Sequence, residues 1–186
     1  MMAEVSGEDV KVVNVVGSGS LSIEIDLDAL SADISTAEYN PANYHGMYLR
    51  FAEDAPLVTL YRSGKYIITG AHSTDELFEI RRKILEQFIE IGIISDDIDD
   101  EFSIQNFVCQ GDTGRTVNLS AAAIGLGLER TEYEPEQFPG LVYRPDEYDC
   151  VLLLFGSGKV VITGAPEVSI ADQAFTDLLK RLEDLF

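Results

Sequence analysis

The residue patterns closest to catalytic or metal-binding motifs are incomplete in this sequence. Gly158-Lys159 resembles the end of a phosphate-binding loop, but Leu153 stands where the first glycine is required and Val160 replaces the following serine or threonine. The two histidines form no ligand spacing with the two cysteines, and the acidic residues are too scattered to single out a pair for acid–base catalysis. The sequence therefore predicts a protein that is not an enzyme and binds no metal or other cofactor.

A different chemistry, hydrogen bonding by a short polar side chain on an apolar strand, occurs twice. Asn14 lies within Val-Val-Asn-Val-Val, and Asn106 lies within Ile-Gln-Asn-Phe-Val. Asparagine in such a run can present its amide to a ligand, or it can belong to a bulge or turn. The symmetrical placement of the two residues favours a binding role.

The two asparagines belong to an internal repeat. Residues 39–71 and 133–165 align without a gap at an offset of 94, and thirteen of these positions are identical. The identities include the blocks Ser-Gly-Lys and Thr-Gly-Ala in both copies. A repeat of this length indicates that one structural unit is present twice, related by a pseudo-two-fold axis.

Each copy of the repeat has the pattern of a β-hairpin followed by a long helix. Strands are predicted over residues 57–61 and 66–69, and again over residues 151–155 and 160–163, with a Ser-Gly turn between the members of each pair. Such a sheet, covered by helices on one face, leaves its other apolar face free for an interaction.

Serine-containing capping boxes predict where the long helices begin. Ser73 with Glu76 opens the first helix, which Gly92 ends, and Ser169 with Asp172 is predicted to open the second. Short helices are predicted earlier in each copy, around residues 28–35 and 118–124.

The composition of the chain indicates its source and its cellular compartment. It has 33 acidic and 13 basic residues, for a formal net charge of −20. Molar salt screens the repulsion on such a surface, so the charge favours a halophilic source. Cys109 and Cys150 lie among apolar residues and are predicted to be buried thiols. The absence of a secretory pattern or a long apolar run predicts a cytoplasmic protein without a membrane partner.

Three motifs resemble the TATA-box-binding protein family. They are residues 133–144 (YEPEQFPGLVYR), 104–108 (IQNFV) and 151–165 (VLLLFGSGKVVITGA), and weaker copies occur in the first repeat at the same spacing. The charge makes an archaeal, haloarchaeal member the expectation. The resemblance implies an α+β saddle, in which two pseudo-symmetric repeats form a curved ten-stranded antiparallel sheet with four helices on the convex face.

The domain boundaries follow from the repeat and the resemblance. We predict a short N-terminal extension over residues 1–9, a first saddle repeat over 10–94, an acidic linker over 95–101 and a second saddle repeat over 102–186.

The resemblance also implies roles for individual residues in binding the minor groove of DNA. Asparagines and threonines would contact the centre of the site, namely Asn14, Thr69, Asn106 and Thr163. Apolar residues would lie against the floor of the groove, namely Val16, Ile67, Val108, Leu153 and Val161. Wedges would enter between base pairs, namely Tyr44, Tyr61, Phe138 and Phe155. Basic residues would face the phosphates, namely Arg50, Lys65, Arg144 and Lys159. Without the repeat, the two phenylalanines would be assigned to the core.

The implied function is transcription initiation at A/T-rich TATA-box promoters in the nucleoid. Glu134 and Glu136 match the loop that family members offer to transcription factor B, which brings RNA polymerase. The first repeat departs from the family in its tyrosine wedges and in Thr59, which replaces a leucine. The alternative is a divergent paralogue that regulates transcription mainly through protein contacts. The basic run Arg81-Arg82-Lys83 is either a partner site or a solvated helix face.

Overall fold

The computed structural model describes residues 9–98 and 100–185, which contain ten strands and four α-helices. The strands are β1 (Lys11–Ser20), β2 (Ala37–Glu38), β3 (Gly46–Leu49), β4 (Leu57–Tyr61), β5 (Lys65–Ala71), β6 (Glu101–Asp112), β7 (Thr131–Glu132), β8 (Leu141–Tyr143), β9 (Val151–Leu154) and β10 (Lys159–Ala165). The helices are α1 (Leu27–Asp33), α2 (Thr74–Glu90), α3 (Leu119–Leu126) and α4 (Val168–Leu185). Of the predicted N-terminal extension, residues 1–8 lie outside the described residues.

The chain divides into two compact units. The first-repeat unit comprises residues 14–105, and the second-repeat unit comprises residues from 106 onward together with the segment up to Val13. The long strands β1 and β6 therefore contribute residues to both units. The boundaries of the four segments predicted from the sequence stay a prediction.

Both units use the same antiparallel strand order. In the first-repeat unit the order is β2-β3-β4-β5-β1, and in the second-repeat unit it is β7-β8-β9-β10-β6. The predicted hairpins are present as β4 with β5 and as β9 with β10. The hairpin register places residues of equal parity on one face, as the alternating pattern required.

One face of each sheet is buried against its long helix. In the first-repeat unit, Val15 and Ile68 are fully buried with Leu77 of α2. In the second-repeat unit, Ile162 and Leu178 of α4 are likewise fully buried. The other face carries the half-exposed residues of the same strands. No helix within the described residues is long and apolar enough to cross a membrane.

Three of the four helices begin close to the predicted positions. Asp26 caps α1 by accepting a hydrogen bond from the Ala29 amide (3.1 Å), and Asn118 caps α3 in the same way from the Ala121 amide (3.1 Å). Ser73 caps α2 by accepting from the Glu76 amide (3.1 Å). These caps satisfy amides that have no partner inside the helix.

The predicted start of α4 is wrong. Ser169 lies inside the first turn, because the helix already begins at Val168. The backbone carbonyl of Glu167 accepts from the Ile170 and Ala171 amides, and the Ser169 hydroxyl donates to the Glu167 carboxylate (3.2 Å). Glu167 occupies the position that corresponds to Ser73 at the repeat offset of 94, so the repeat locates this helix better than its own serine does.

The sequence predicted that both cysteines are buried, but it did not predict the burial of one aspartate side chain. Cys109 and Cys150 are free and buried, as predicted. Burial raises the pKa of both thiols, which keeps them protonated. Asp100, within the acidic stretch 95–101, has a side chain only 5% exposed that is paired with Arg81. This carboxylate is part of the packed structure rather than of a solvated linker.

Candidate nucleic-acid interface

A β-bulge beside each asparagine shapes the middle of the half-exposed face. In β5, Thr69-Gly70 lies opposite the single residue Val16 of β1. In β10, Thr163-Gly164 lies opposite Val108 of β6. Both glycines have positive φ values, +91° and +82°, which strain any residue with a Cβ atom. The Thr-Gly-Ala block is therefore the sequence signature of this bulge.

The bulges determine how the asparagine amides are oriented. The Gly70 amide donates to Asn14 Oδ1 (2.8 Å), and the Gly164 amide donates to Asn106 Oδ1 (2.7 Å). Because the amide oxygen is engaged, the Nδ2 group is left as the outward donor in both residues. In the second-repeat unit one of its protons reaches Thr163 Oγ1 (3.4 Å). Each asparagine can therefore be part of a bulge and still offer a donor to a ligand.

Cross-strand pairing places the predicted groove-floor residues Ile67, Leu153 and Val161 in one row in each unit, whereas Val16 and Val108 lie opposite the bulges. In the first-repeat unit Ile67 pairs with Thr59, which pairs with Tyr48. In the second-repeat unit the corresponding row is Val161, Leu153 and Val142. Residues directly opposite each other in a sheet share a face. We call the face that carries the row and the asparagine the open face of each unit.

The two predicted wedges of each unit lie side by side next to this row, over the glycine two positions before Tyr48 or Val142. Phe138 and Phe155 make an edge-to-face contact with ring centroids 5.9 Å apart, and Phe138 is 36% exposed. Gly140 lies beneath both rings, since a Cβ atom there would lie 2.8 Å from one ring and 3.1 Å from the other. The glycine is needed for space, and it seats the aromatic pair on the open face.

The first-repeat unit holds its wedges in the same geometry but adds one hydrogen bond and two further rings, of which His45 lies 4.6 Å from Tyr44 and 5.3 Å from Tyr61 between ring centroids. Tyr44 and Tyr61 are edge-to-face with centroids 6.3 Å apart, and their hydroxyl oxygens are 2.8 Å apart. Tyr48 stacks flat on Tyr44, with centroids 5.3 Å apart and an angle of 3° between the rings. The hydrogen bond with Tyr44, together with burial, raises the pKa of Tyr61 to about 12.

A shallow cavity flanks the wedges in each unit. The cavity in the first-repeat unit has a volume of about 940 Å³ and includes Tyr61, Lys65 and Ile67 in its lining. The cavity in the second-repeat unit has a volume of about 570 Å³ and includes Phe155 and Lys159. Equivalent residues of the repeat therefore line a cavity in each unit.

The four predicted phosphate-facing residues are exposed but not equally available. Lys65 and Lys159 lie at the hairpin ends and make no ion pair within the described residues. Arg144 pairs with Glu132 (2.8 Å), and Arg50 donates to the carbonyl oxygen of Ala55 (3.2 Å). Each arginine uses only its Nη1 group in these contacts, so further guanidinium donors are left for phosphate.

The predicted partner-binding glutamates are exposed on the turn between β7 and β8. The Glu134 carbonyl accepts from the Gln137 and Phe138 amides (2.9 Å each), and both Glu134 and Glu136 are exposed. This turn leads directly into the wedge Phe138.

Comparison with known proteins identifies the family. Residues 9–91 and 101–185 match the family described as Transcription factor TFIID (or TATA-binding protein, TBP). The chain is 49% identical to TATA-box-binding protein C of Halobacterium salinarum over 178 residues, which cover 95% of this chain and 98% of the relative. It is 46% identical to the TATA-box-binding protein of Natronomonas pharaonis, over 96% of this chain and 95% of the relative.

The chain belongs to the TATA-binding protein family. The solved structure of Methanococcus jannaschii TBP matches with a TM-score of 0.82 and 40% identity, over 95% of this chain and 99% of that one. The predicted fold class is thereby confirmed, as is the prediction of haloarchaeal relatives. The family consists of DNA-binding transcription factors and not of enzymes.

Sequence reasoning missed two residues on the open faces of this TATA-binding protein family member. Tyr48 and Val142 were not among the predicted site residues, yet both complete the cross-strand rows. They are equivalent at the offset of 94, and each lies two positions after the glycine beneath the wedges. Strand parity counted from Gly46 and Gly140 would have identified them.

The three basic side chains of the run in α2 all form ion pairs with acidic residues. Arg81 pairs with the buried carboxylate of Asp100, Arg82 pairs with Glu86 (2.7 Å), and Lys83 pairs with Glu79 (2.8 Å). The last two are exposed pairs one helical turn apart, of the kind that stabilises a helix by a few tenths of a kcal/mol. The structure therefore favours a helix face neutralised by its own neighbours over a partner site.

Proposed function

We propose that this chain is a general transcription initiation factor that binds and bends A/T-rich TATA-box promoter DNA through the minor groove. It would recruit transcription factor B and RNA polymerase to the nucleoid-associated promoter. Two saddle repeats, 10–94 and 102–186, joined by the acidic segment 95–101, would each supply one open face.

The observation that carries this proposal is the outward Nδ2 donor of Asn14 and of Asn106, each on a face that also carries apolar side chains. The minor groove of A·T pairs displays only acceptors, N3 of adenine and O2 of thymine, on its floor. A donor surrounded by flat apolar side chains matches such a floor, whereas the amino group of guanine would meet those side chains without a partner. The glycine bulges hold both donors in place before DNA arrives, so little ordering is required on binding.

The wedge residues would provide the bend. Minor-groove proteins insert apolar side chains between base steps and kink the duplex, and the TATA-binding proteins are a leading example, so the kink is a property carried over from the family. Phe138 is exposed and Phe155 is half-exposed, and the two rings are paired on the open face, in position for such an insertion.

The charge of the chain determines how the protein would contact the phosphates of DNA. Lys65 and Lys159 offer direct contacts, while the formal net charge is −20. A protein that neutralises phosphates loses affinity as salt rises, because counterions are released from DNA. Here cations would instead be retained between acidic groups and phosphates. We expect affinity to hold or increase from low salt to molar KCl, measured by gel shift on protein shown to be folded at each concentration; a steep decline would contradict this.

Binding through the minor groove can be tested by base substitution. Replacing A·T with I·C pairs keeps the minor-groove pattern of acceptors and changes the major groove. We expect affinity for a TATA duplex to survive this change, whereas replacement by G·C should reduce it. The matched variants Asn14→Asp and Asn106→Asp remove the outward donors at nearly constant size and should abolish binding to either duplex. Loss of binding on I·C substitution would contradict the proposal.

Recruitment of transcription factor B would use the turn that carries Glu134 and Glu136. Charge reversal, Glu134→Lys with Glu136→Lys, should leave DNA binding intact and prevent the further gel shift that transcription factor B produces. The equivalent first-repeat turn provides the control, with Asn40→Lys and Ala42→Lys. An unchanged ternary complex with the second-repeat variant would contradict this part of the proposal.

A further inference from the structure

The open faces of the two units differ in their capacity for hydrogen bonding. The wedge pair of the second-repeat unit is Phe138 with Phe155, which has no polar atom. The wedge pair of the first-repeat unit is Tyr44 with Tyr61, whose hydroxyl oxygens are 2.8 Å apart. The same ring geometry therefore supports two chemically different surfaces.

The tyrosine pair retains hydrogen-bonding capacity after its internal bond is made. Two hydroxyls carry two protons, and the bond between Tyr44 and Tyr61 uses one of them. One proton and the remaining lone pairs are left for a ligand. The pair can thus donate to an acceptor or accept from a donor without either hydroxyl being stranded.

The neighbouring residues make this pair the surface that a ligand meets. Tyr48 stacks on Tyr44 and fixes its plane, while Gly46 lies beneath Tyr44 and Tyr61 with no room for a Cβ atom. Thr59 is only 7% exposed. The tyrosine cluster (Tyr44, Tyr48 and Tyr61) consequently replaces the threonine as the contact surface in this part of the open face.

We infer that the tyrosine cluster accepts a hydrogen bond from the 2-amino group of a purine in the minor groove, so that one half of the DNA site tolerates a G·C pair. The inference rests on the proposed minor-groove function and assigns a base preference to it. The 2-amino group is the only feature by which G·C differs from A·T on the minor-groove floor. A hydroxyl pair with free lone pairs can satisfy that group.

The second-repeat unit provides the opposite environment. A 2-amino group pressed against Phe138, Phe155, Val142 and Leu153 would lose its hydration without gaining an acceptor. An unsatisfied buried donor costs enough to weaken binding by about tenfold or more. The two halves of the site should therefore differ in base preference although the protein fold is repeated.

The experiment uses a palindromic A·T site between two different flanking sequences, so that the two halves of the site are equivalent while its two strands can be modified separately. Replacing adenine by 2,6-diaminopurine adds only the minor-groove amino group. One duplex series carries it at a single position of one half, and a second series carries it at the symmetric positions of both halves. The protein can orient its first-repeat unit toward a single amino group, so the comparison of one with two needs no knowledge of orientation.

The wild-type protein should bind the one-amino duplex within about threefold of the A·T duplex, and the two-amino duplex at least about tenfold more weakly. The variant Tyr44→Phe/Tyr61→Phe should lose about tenfold on the first amino group, relative to its own affinity for the A·T duplex. The reciprocal variant Phe138→Tyr/Phe155→Tyr should tolerate both. Circular dichroism confirms that each variant is folded.

Equal losses for each added amino group in the wild type would overturn the inference, as would unchanged tolerance in the double phenylalanine variant. Failure to bind the unmodified A·T duplex would instead refute the proposed function, and the base preference with it. Affinities are measured by fluorescence anisotropy in molar KCl.

Discussion

The two repeat units fill the same internal space with different side chains. In the first-repeat unit the ring of Tyr66 occupies the space above Gly19, where a Cβ atom would lie 2.5 Å from it. In the second-repeat unit the ring of Phe175 occupies the space above Gly111, at 2.6 Å. The ring comes from the sheet in one unit and from the long helix in the other. The repeated backbone therefore constrains the volume of its core more tightly than the identity of the residues.

The replacement of a tyrosine ring by a phenylalanine ring determines how polar the core of each unit is. Behind Tyr66, the carboxylate of Asp100 accepts from the tyrosine hydroxyl and from Arg81 Nε (3.1 Å), and Arg81 lies 5.1 Å from the centre of the Phe102 ring. At the repeat offsets, the position of Tyr66 is held by Val160 in the second-repeat unit. This part of the first-repeat unit is stabilised by the ion pair between Arg81 and Asp100, and the equivalent part of the second-repeat unit by apolar contacts.

The largest expected effect is on stability, from breaking the ion pair of the first-repeat unit. Asp100→Ala leaves Arg81 without its carboxylate at a site where the Asp100 side chain is 5% exposed. Removal of one partner of a fully buried pair costs about 3–5 kcal/mol in the free energy of unfolding, and because the Arg81 side chain is 28% exposed we expect a loss of about 3 kcal/mol. Urea unfolding followed by circular dichroism in molar KCl measures it. Glu86→Ala, which breaks the exposed pair with Arg82, is the control and should cost under about 1 kcal/mol.

The next largest effect is expected on DNA, from the difference between the wedge pairs. Phe138→Ala or Phe155→Ala should weaken binding by about 30-fold or more, equivalent to about 2 kcal/mol, and reduce bending. Tyr44→Ala or Tyr61→Ala should have smaller effects, because inserting a hydroxyl pair is opposed by its desolvation. End-to-end fluorescence transfer measures the bend. Equal losses from both pairs would remove the asymmetry between the repeats, and no loss from any of the four would refute the wedge assignment.

A smaller effect is expected from acid at Asp100 of the first-repeat unit. Burial acts to raise the pKa of Asp100, but hydrogen bonds from Arg81 and Tyr66 outweigh it, so the pKa lies below its ordinary value. A lowered folded-state pKa contributes stability that is complete above the unfolded value of about 3.9 and is lost as pH falls through the folded value. The difference in urea midpoint between wild type and Asp100→Asn should therefore be constant from pH 7 to about pH 5 and shrink below about pH 4. A difference that grows toward acid pH would contradict this sign.

The smallest effect is spectroscopic and isolates the tyrosine pair. Tyr61 has a pKa raised to about 12, first by its hydrogen bond with Tyr44 and then by burial. Tyr44→Phe removes that bond, so the pKa of Tyr61 should fall toward the ordinary value of about 10. Ring resonances of Tyr61 followed by NMR between pH 9 and 12 measure the change. Tyr39→Phe, outside the pair, is the matched control and should leave the titration unchanged.

The sequence by itself determined the elements that recur. Duplicated blocks located both hairpins, and apolar periodicity located the long helices, because these patterns reflect burial of one face of each element. The same repeat, with the family resemblance, brought Asn14, Asn106 and the four wedge positions onto the list of site residues. The repeat was even the better guide at α4, where the local serine signal misplaced the start of the helix.

Only the tertiary structure decided which partner each polar group has. The outward orientation of the asparagine donors depends on an amide freed by a bulge 56 residues away in the chain for Asn14. Arg81 is neutralised by Asp100, which lies within a stretch that reads as a solvated acidic segment. The bond between Tyr44 and Tyr61 likewise joins residues on different strands. Periodicity reports which face a residue occupies, whereas a hydrogen bond depends on distances between atoms that are set only when the strands and helices have packed.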